Sequence, residues 1–347
     1  MKMKFTNHNA TVAKIRAMYG KRVTPQDYSE LASRQSVAEI ADYLKKNTHY
    51  SELLSSVDVN TVHRGFLESL LKRYNFETYL KITGFERINR QEFYNYRIIN
   101  AEVDVILSSI RHINAKSDDQ ITDIPIYING MTCFDLIEIA KVRTFDELLT
   151  FLRRTPYYDV LKQEKADENG KVDYSQCEYK LRSFYFNRLE KTIAKFSKTE
   201  ADKLNSMILT DIDLVNVINA YRMKSYFDED EKQISSMMLP FSGRLSEDKQ
   251  REIYSAADEA EFLKRFAKTY YGRQISDFAP DANNLEANAN RLRFKYAKLA
   301  LKSSSTASVS VYAFMYLMGV ELRNLISIIE GVRYGVPAKE IEDLIIV

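Results

Sequence analysis

The chain has 347 residues, with 50 Lys and Arg against 48 Asp and Glu, leaving a net charge of +2. That balance excludes a global attraction for nucleic acid and leaves only local basic patches to consider. With 10 Gly and 6 Pro, long breaker-free segments favour helix, and the length suffices for one large core or two to three smaller ones. Cys133 and Cys177 are isolated thiols without CxxC or metal-ligand spacing, and the polar opening MKMKFTNHNATVAKIR holds no export-type apolar region. Both features fit a reducing cytoplasm.

Thr11 to Tyr19 reads as a helix, and Thr24-Pro25 as the start of another. In SVAEIADYLKKNTHY, Val37, Ile40, Ala41 and Leu44 form an apolar helix face that closes at Thr48-His49-Tyr50. Arg64 to Leu80 carries the stripe Phe66, Leu67, Leu70, Leu71 and Tyr74. Residues 98–113 have the content of a strand, but their length favours helix. Residues 117–132, containing ITDIPIYINGMT, are the clearest β-like piece and are expected to form a small hairpin or extended loop. FDLIEIAKVRTFDELLTFLRRTPYY repeats the earlier pattern, with Phe145, Leu148, Leu149 and Leu152 inward. Gln163 to Gln176 is charged and contains glycine, as a solvated loop does.

A basic amphipathic helix, KLRSFYFNRLEKTIAKFSK, comes next, followed by DIDLVNVINAYRMKSYF; residues 228–249 are expected to be irregular. EAEFLKRFAKTYY and NRLRFKYAKLALK then restate the two helix types. Ser303 to Val320 is uncharged for 18 residues, but its apolar part, Val309 to Val320, suits a buried helix better than a span, which needs about 20 apolar residues. The closing stretch, Glu321 to Ile341, places Leu322, Leu325, Ile326, Ile329 and Val332 on one helix face and Arg323, Asn324, Ser327 and Glu330 opposite. Gly335 and Pro337 give it a stop.

Four markers recur in the same order. Thr-x-Tyr closes an amphipathic helix at Thr48/Tyr50, Thr155/Tyr157 and Thr269/Tyr271, with periods of 155 − 48 = 107 and 269 − 155 = 114. Leu-x-x-x-Tyr follows at Leu70/Tyr74, Leu181/Tyr185 and Leu292/Tyr296. An acidic residue then starts an apolar helix at Glu102, Asp213 and Glu321, and three residues later come Val105, Asn216 and Asn324. A period near 110 exceeds the 33 to 47 residues of stacked two-helix repeats, so each unit is large enough for a small core. The expected fold is all-α: three similar lobes, 1–110, 111–221 and 222–347, in a pseudo-threefold funnel or socket.

Little here suggests chemistry. His8, His49, His63 and His112 are neither paired nor beside a cysteine, and no phosphate loop, dinucleotide fingerprint or nucleophile elbow occurs. No cofactor, metal or small-molecule ligand is expected, nor any catalytic role. The helices at 180–198 and 291–302 are basic, carrying Arg182, Arg188, Arg291 and Arg293. They are either solvated faces whose stems cover apolar surface or docking surfaces for an acidic protein or anionic headgroups. Asn216 and Asn324 lie mid-helix at a cost of about half a kcal/mol against Ala. Their matched placement favours a helix–helix hydrogen bond that fixes register over a tolerant surface position.

The closing Glu321-Leu-Arg-Asn324-Leu, the segment Gly331-Val-Arg-Tyr-Gly335-Val-Pro337 with Glu340-Ile341, and the Thr-x-Tyr framework resemble the family of central-stalk C subunits of V-type/A-type ATPases, the d subunits of eukaryotic enzymes. The resemblance covers essentially the whole chain, with departures at 117–132 and 228–249. It implies a non-catalytic subunit on the cytoplasmic side of a membrane rotor ring, receiving the foot of the central stalk and passing torque to the ring that carries H+ or Na+. Its partners are then stalk and ring subunits, with no nucleic acid. The alternative is a free-standing helical adaptor. Candidate lobe or partner contacts are Glu321, Arg323, Asn324, Glu330, Asp213, Asn216, Arg182, Arg188, Arg291 and Arg293.

Overall fold

The computed structural model describes residues 8–116, 124–276 and 284–347. These residues are all-α, with no strand among them. In chain order the helices are α1 (Asn9–Tyr19), α2 (Pro25–Ala32), α3 (Val37–Asn47), α4 (Arg64–Gly84), α5 (Tyr96–Ala115), α6 (Leu136–Ile139), α7 (Phe145–Leu152), α8 (Pro156–Leu161) and α9 (Tyr174–Ile193). There follow α10 (Lys198–Phe227), α11 (Glu231–Met237), α12 (Glu247–Tyr254), α13 (Glu259–Ala267), α14 (Tyr270–Ser276), α15 (Leu285–Ser303), α16 (Ala307–Arg333) and α17 (Ala338–Leu344).

The helices that precede each Thr-x-Tyr begin in the same way. Ser36, Thr144 and Asp258 cap α3, α7 and α13 by accepting the amide of Glu39, Glu147 and Glu261 at 3.2, 3.2 and 2.8 Å. Each glutamate reaches back to the amide of Gln35, Arg143 or Ala257, at 2.9, 2.9 and 2.7 Å. One orphan donor of the helix and the amide just before its cap are thus satisfied at each start. Thr48 and Thr155 then close the turn: each hydroxyl donates to a preceding carbonyl, of Leu44 or Leu152, and accepts the amide of the tyrosine two residues on.

Four expectations need correcting. In the β-like segment, residues 117–123 lie outside the described residues, and Ile126–Ile128 is a 3₁₀ turn. Pro125 carries no amide donor for a ladder, and successive three-residue bonds from Ile128, Asn129 and Met131 wind the chain instead of extending it. The 228–249 segment is helical at both ends, because Asp230 and Gln233 form a capping box that starts α11. The repeated acids do not start helices: Glu102, Asp213 and Glu321 lie inside α5, α10 and α16. For the same reason, the closing stretch is no separate helix. The uncharged segment runs unbroken into it, as one helix of 27 residues.

The described chain divides into two compact units. The first comprises 1–88, 202–211 and 270–347, and the second 89–201 and 212–269. Each unit draws on more than one sequence repeat. In the first, α16 is the central helix and packs on α15, α4, α1, α17, α2 and α3. It is long and apolar enough by length and composition to cross a membrane, yet most of it is buried. Leu325, Ile328, Ile329 and Val332 of α16 share a core with Leu31, Ile40, Leu44, Leu67, Leu71 and Ile341; each such side chain contributes about 1.5–3 kcal/mol on burial. In the second unit α5 packs on α9, and Val103, Ile106 and Ile110 of α5 and Leu181 and Leu189 of α9 are buried.

Candidate functional site

The three repeated acids are buried, at 4%, 0% and 5% exposure for Glu102, Asp213 and Glu321. A carboxylate is tolerated there only if donors replace its water. Glu321 accepts the Val23 amide at 3.0 Å and the Tyr50 hydroxyl at 2.8 Å. Glu102 accepts the Cys133 amide and the Tyr157 hydroxyl, both at 2.5 Å. Asp213 accepts the amides of Gly243 and Leu245 at 3.0 and 3.1 Å, while Tyr271 donates to Thr210 at 3.4 Å. Each acid therefore fastens a chain segment to the middle of a long helix. The pairing steps from one repeat to the next: the acid of the third repeat holds the tyrosine of the first, and the acid of the first holds the tyrosine of the second.

Electrostatics follows the burial. Desolvation holds the Glu321 carboxyl above its usual range, against the downward pull of His49, Tyr50 and the Val23 amide. The Tyr50 and Tyr157 phenols are pushed well up by burial and then by their carboxylates. His49 sits with Nε2 at 3.3 Å from Glu321 and Nδ1 at 3.0 Å from the Lys21 carbonyl.

Asn324 and Asn216 each hold one backbone residue outside their own helix, and Asn324 also meets the Tyr28 hydroxyl of α2 in a side-chain hydrogen bond. Asn324 donates to the Ile346 carbonyl at 2.8 Å and accepts its amide at 3.2 Å. Asn216 does the same with Leu239, both bonds being 3.0 Å. Each amide side chain thus matches the two backbone groups of a single residue. Asn324 consequently lies in the interior and not on a polar face with Arg323. In the first repeat Val105 is simply buried.

The basic candidates mostly have partners within their own unit. Arg182 bonds Asn100 at 3.2 Å and Asp104 at 2.7 Å. Arg188 lies 4.0 Å from Glu92, which also takes Lys195 at 2.5 Å. Arg291 bonds Asn288 and the Asp343 carbonyl, and Glu330 pairs with Arg64 at 2.5 Å. Arg293 and Arg323 come together beside Tyr316, with Arg293 paired to Asp211 at 2.8 Å. Among the described residues, no group of His, Cys, Asp and Glu is arranged to hold a metal ion. Sequence reasoning missed Asp211, Tyr316 and the repeated caps. The caps were visible as a Ser, Thr or Asp three residues before Glu, eleven or twelve residues ahead of each Thr-x-Tyr.

The profile of the ATP synthase (C/AC39) subunit family matches residues 11–344. The chain belongs to that family. Its relatives include the C subunits of A-type ATP synthases from Methanosphaera stadtmanae (20% identical, 96% of this chain and 86% of the relative), Methanosarcina mazei (23%, 99% and 93%) and Pyrococcus abyssi (24%, 99% and 91%). The C/AC39 family is one of non-catalytic stalk subunits.

The residues on which the C/AC39 resemblance first rested form a tight joint between α16 and α17. Gly335, at φ +68°, ends α16: its amide bonds the Val332 carbonyl and that of Val336 bonds Gly331. This is a Schellman closure, which only glycine enters at little cost. Pro337 then leads directly into α17. The joint folds Ile341 back over Gly331, where a Cβ would meet Cδ1 and Cγ1 of Ile341 at 2.7 Å.

Proposed function

We propose that this chain is the non-catalytic socket of a rotary A-type or V-type ATPase or ATP synthase. It receives the foot of the central stalk, seats on the membrane rotor ring, and passes torque between them as H+ or Na+ crosses. The observation that carries this reading is the family match over residues 11–344, nearly the full chain. In this reading the protein is peripheral, on the cytoplasmic face of the membrane, and uses no cofactor or small-molecule ligand. The lobes 1–110, 111–221 and 222–347 surround a pseudo-threefold opening. The repeated caps and the latches at Glu102, Asp213 and Glu321 support that plan, because equivalent residues perform equivalent tasks. They also support stiffness. A torque carrier needs close-packed joints that transmit strain, and each latch ties a chain segment to a long helix through two hydrogen bonds.

The test is purification of the tagged chain from its own cells. Stalk and ring subunits are expected to accompany it. A monomer that binds neither, in a cell containing both, overturns the reading in favour of a free-standing adaptor.

A further inference from the structure

Two arginines converge on one aromatic ring in the first unit. Arg293 of α15 lies with its guanidinium carbon 5.2 Å from the centroid of Tyr316, and Arg323 of α16 lies 5.9 Å from the same centroid. Asp211 is the carboxylate of the cluster. It takes Arg293 at 2.8 Å and the Tyr312 hydroxyl at 3.4 Å. The Arg293–Asp211 pair is largely covered, with side-chain exposures of 18% and 19%. Arg323, by contrast, is exposed and makes no ion pair with any described residue.

The charge count decides what fits. Arg293 and Asp211 neutralise each other, so the cluster carries a single surplus positive charge on Arg323. One carboxylate matches that surplus. A phosphate dianion brings more negative charge than the cluster can neutralise, beside an Asp211 already in place. The geometry also suits a carboxylate: a guanidinium offers a planar fork of five donors, of which the side-chain bond to Tyr316 takes one. Tyr312, Tyr316, Gly319 and Arg323 follow one another along one face of α16, none of them fully buried. The Nη1 of Arg323 lies over Gly319, at ordinary contact distance (3.7 Å) from where a Cβ would stand.

We infer that Arg323, set against Tyr316 and backed by the Arg293–Asp211 pair, is a docking point for a carboxylate side chain of an acidic stalk subunit. The inference rests on the proposed stalk-receiving role and names the residue through which that role is exercised. Partial desolvation, joined by repulsion from the Arg293 guanidinium, lowers the affinity of Arg323 for its proton, and an arriving carboxylate relieves that repulsion.

The experiment measures binding of the purified full chain to the purified stalk subunits at low and high salt, for wild type, Arg323→Gln and Arg323→Lys. Arg323→Gln is expected to weaken binding about tenfold at low salt and to flatten its salt dependence. Arg323→Lys should recover part of the loss, because it keeps the charge without the fork. Thermal melts of the variants should fall by no more than a few degrees, since Arg323 has no ion pair to lose and gives up only its contact with Tyr316. Equal binding by wild type and Arg323→Gln overturns the inference while leaving the socket function standing. Wild type that fails to bind the stalk removes both. Loss of binding to phosphatidylglycerol vesicles with stalk binding intact reassigns the residue to lipid and overturns the inference.

Discussion

Replacing Gly331 with Ala adds a methyl group where α17 leaves none free. The new Cβ would lie 2.7 Å from both Cδ1 and Cγ1 of Ile341, roughly 0.7 Å inside ordinary contact. Ile341 is 1% exposed and belongs to the core that holds Leu325, Ile328 and Ile329, so it has little room to retreat. Overpacking of this kind costs about 1–3 kcal/mol, against which Ala gains about 1 kcal/mol of helix propensity over Gly. The net expectation is a destabilisation of about 1 kcal/mol, or a melting point about 2–4 °C lower for a body of 150–250 residues. Urea unfolding of wild type, Gly331→Ala, Ile341→Val and the double variant measures it. Ile341→Val alone should cost about 0.5–1.5 kcal/mol, but less in the Gly331→Ala background, because removing Cδ1 relieves one clash. A coupling above about 0.5 kcal/mol is expected for residues in contact. Additive effects, or a Gly331→Ala variant stabilised by its full helix propensity, would refute the packing argument.

Glu321→Gln tests the buried latch by pH. A carboxyl whose folded pKa is raised stabilises the fold most below its ordinary value near 4.5, and that contribution fades as pH rises through the raised folded value. The stability of wild type relative to Glu321→Gln should therefore fall between pH 4 and neutrality; a constant difference in urea melts would show that burial does not dominate. Asn324→Leu strands both backbone groups of Ile346, at a cost of about 2 kcal/mol, and should disturb assembly with the stalk more than solubility. Unchanged urea midpoint and normal assembly would count against the clamp. Lys116 ends α5 at φ +50°, so Lys116→Gly should stabilise by up to about 1 kcal/mol, read as a rise in melting point; a fall would mean the lysine side chain matters there.

The helices from α1 to α5 were legible because their apolar positions repeat at helical spacing between clear breakers. The Gly335–Pro337 stop was legible for the same reason. Ile126 to Ile128 misled because β-branched content alone does not reveal a partner strand, and Pro125 with Asn129 and Gly130 bends the chain before one can form. The acids Glu102, Asp213 and Glu321 were found by spacing but misread as helix starts. Their donors, such as Val23 and Tyr50, lie up to 298 residues away in sequence, beyond any local pattern. Asn324 was concealed by a nearer gap, its partner Ile346 lying 22 residues on, across the Gly335 turn. Arg293 and Arg323 were each noticed, yet nothing local connects them to Asp211 or to the ring of Tyr316 between them.

The gathering of distant segments on α16 bears on how the chain is made. A ribosome delivers domains from the N-terminus onward, yet residues 1–88 belong to a unit whose other pieces are 202–211 and 270–347. The acceptor for the Val23 amide is Glu321, and the partner of Asn324 is Ile346. Helices α1 to α4 must therefore wait through some 250 further residues of synthesis, their apolar faces uncovered meanwhile. The second unit, complete by residue 269, is made in full before the first can close. Emergence of α16 and α17 is thus the step that seals the first unit, and a chain cut short before Asn324 and Ile346 would leave its opening helices without their clasp.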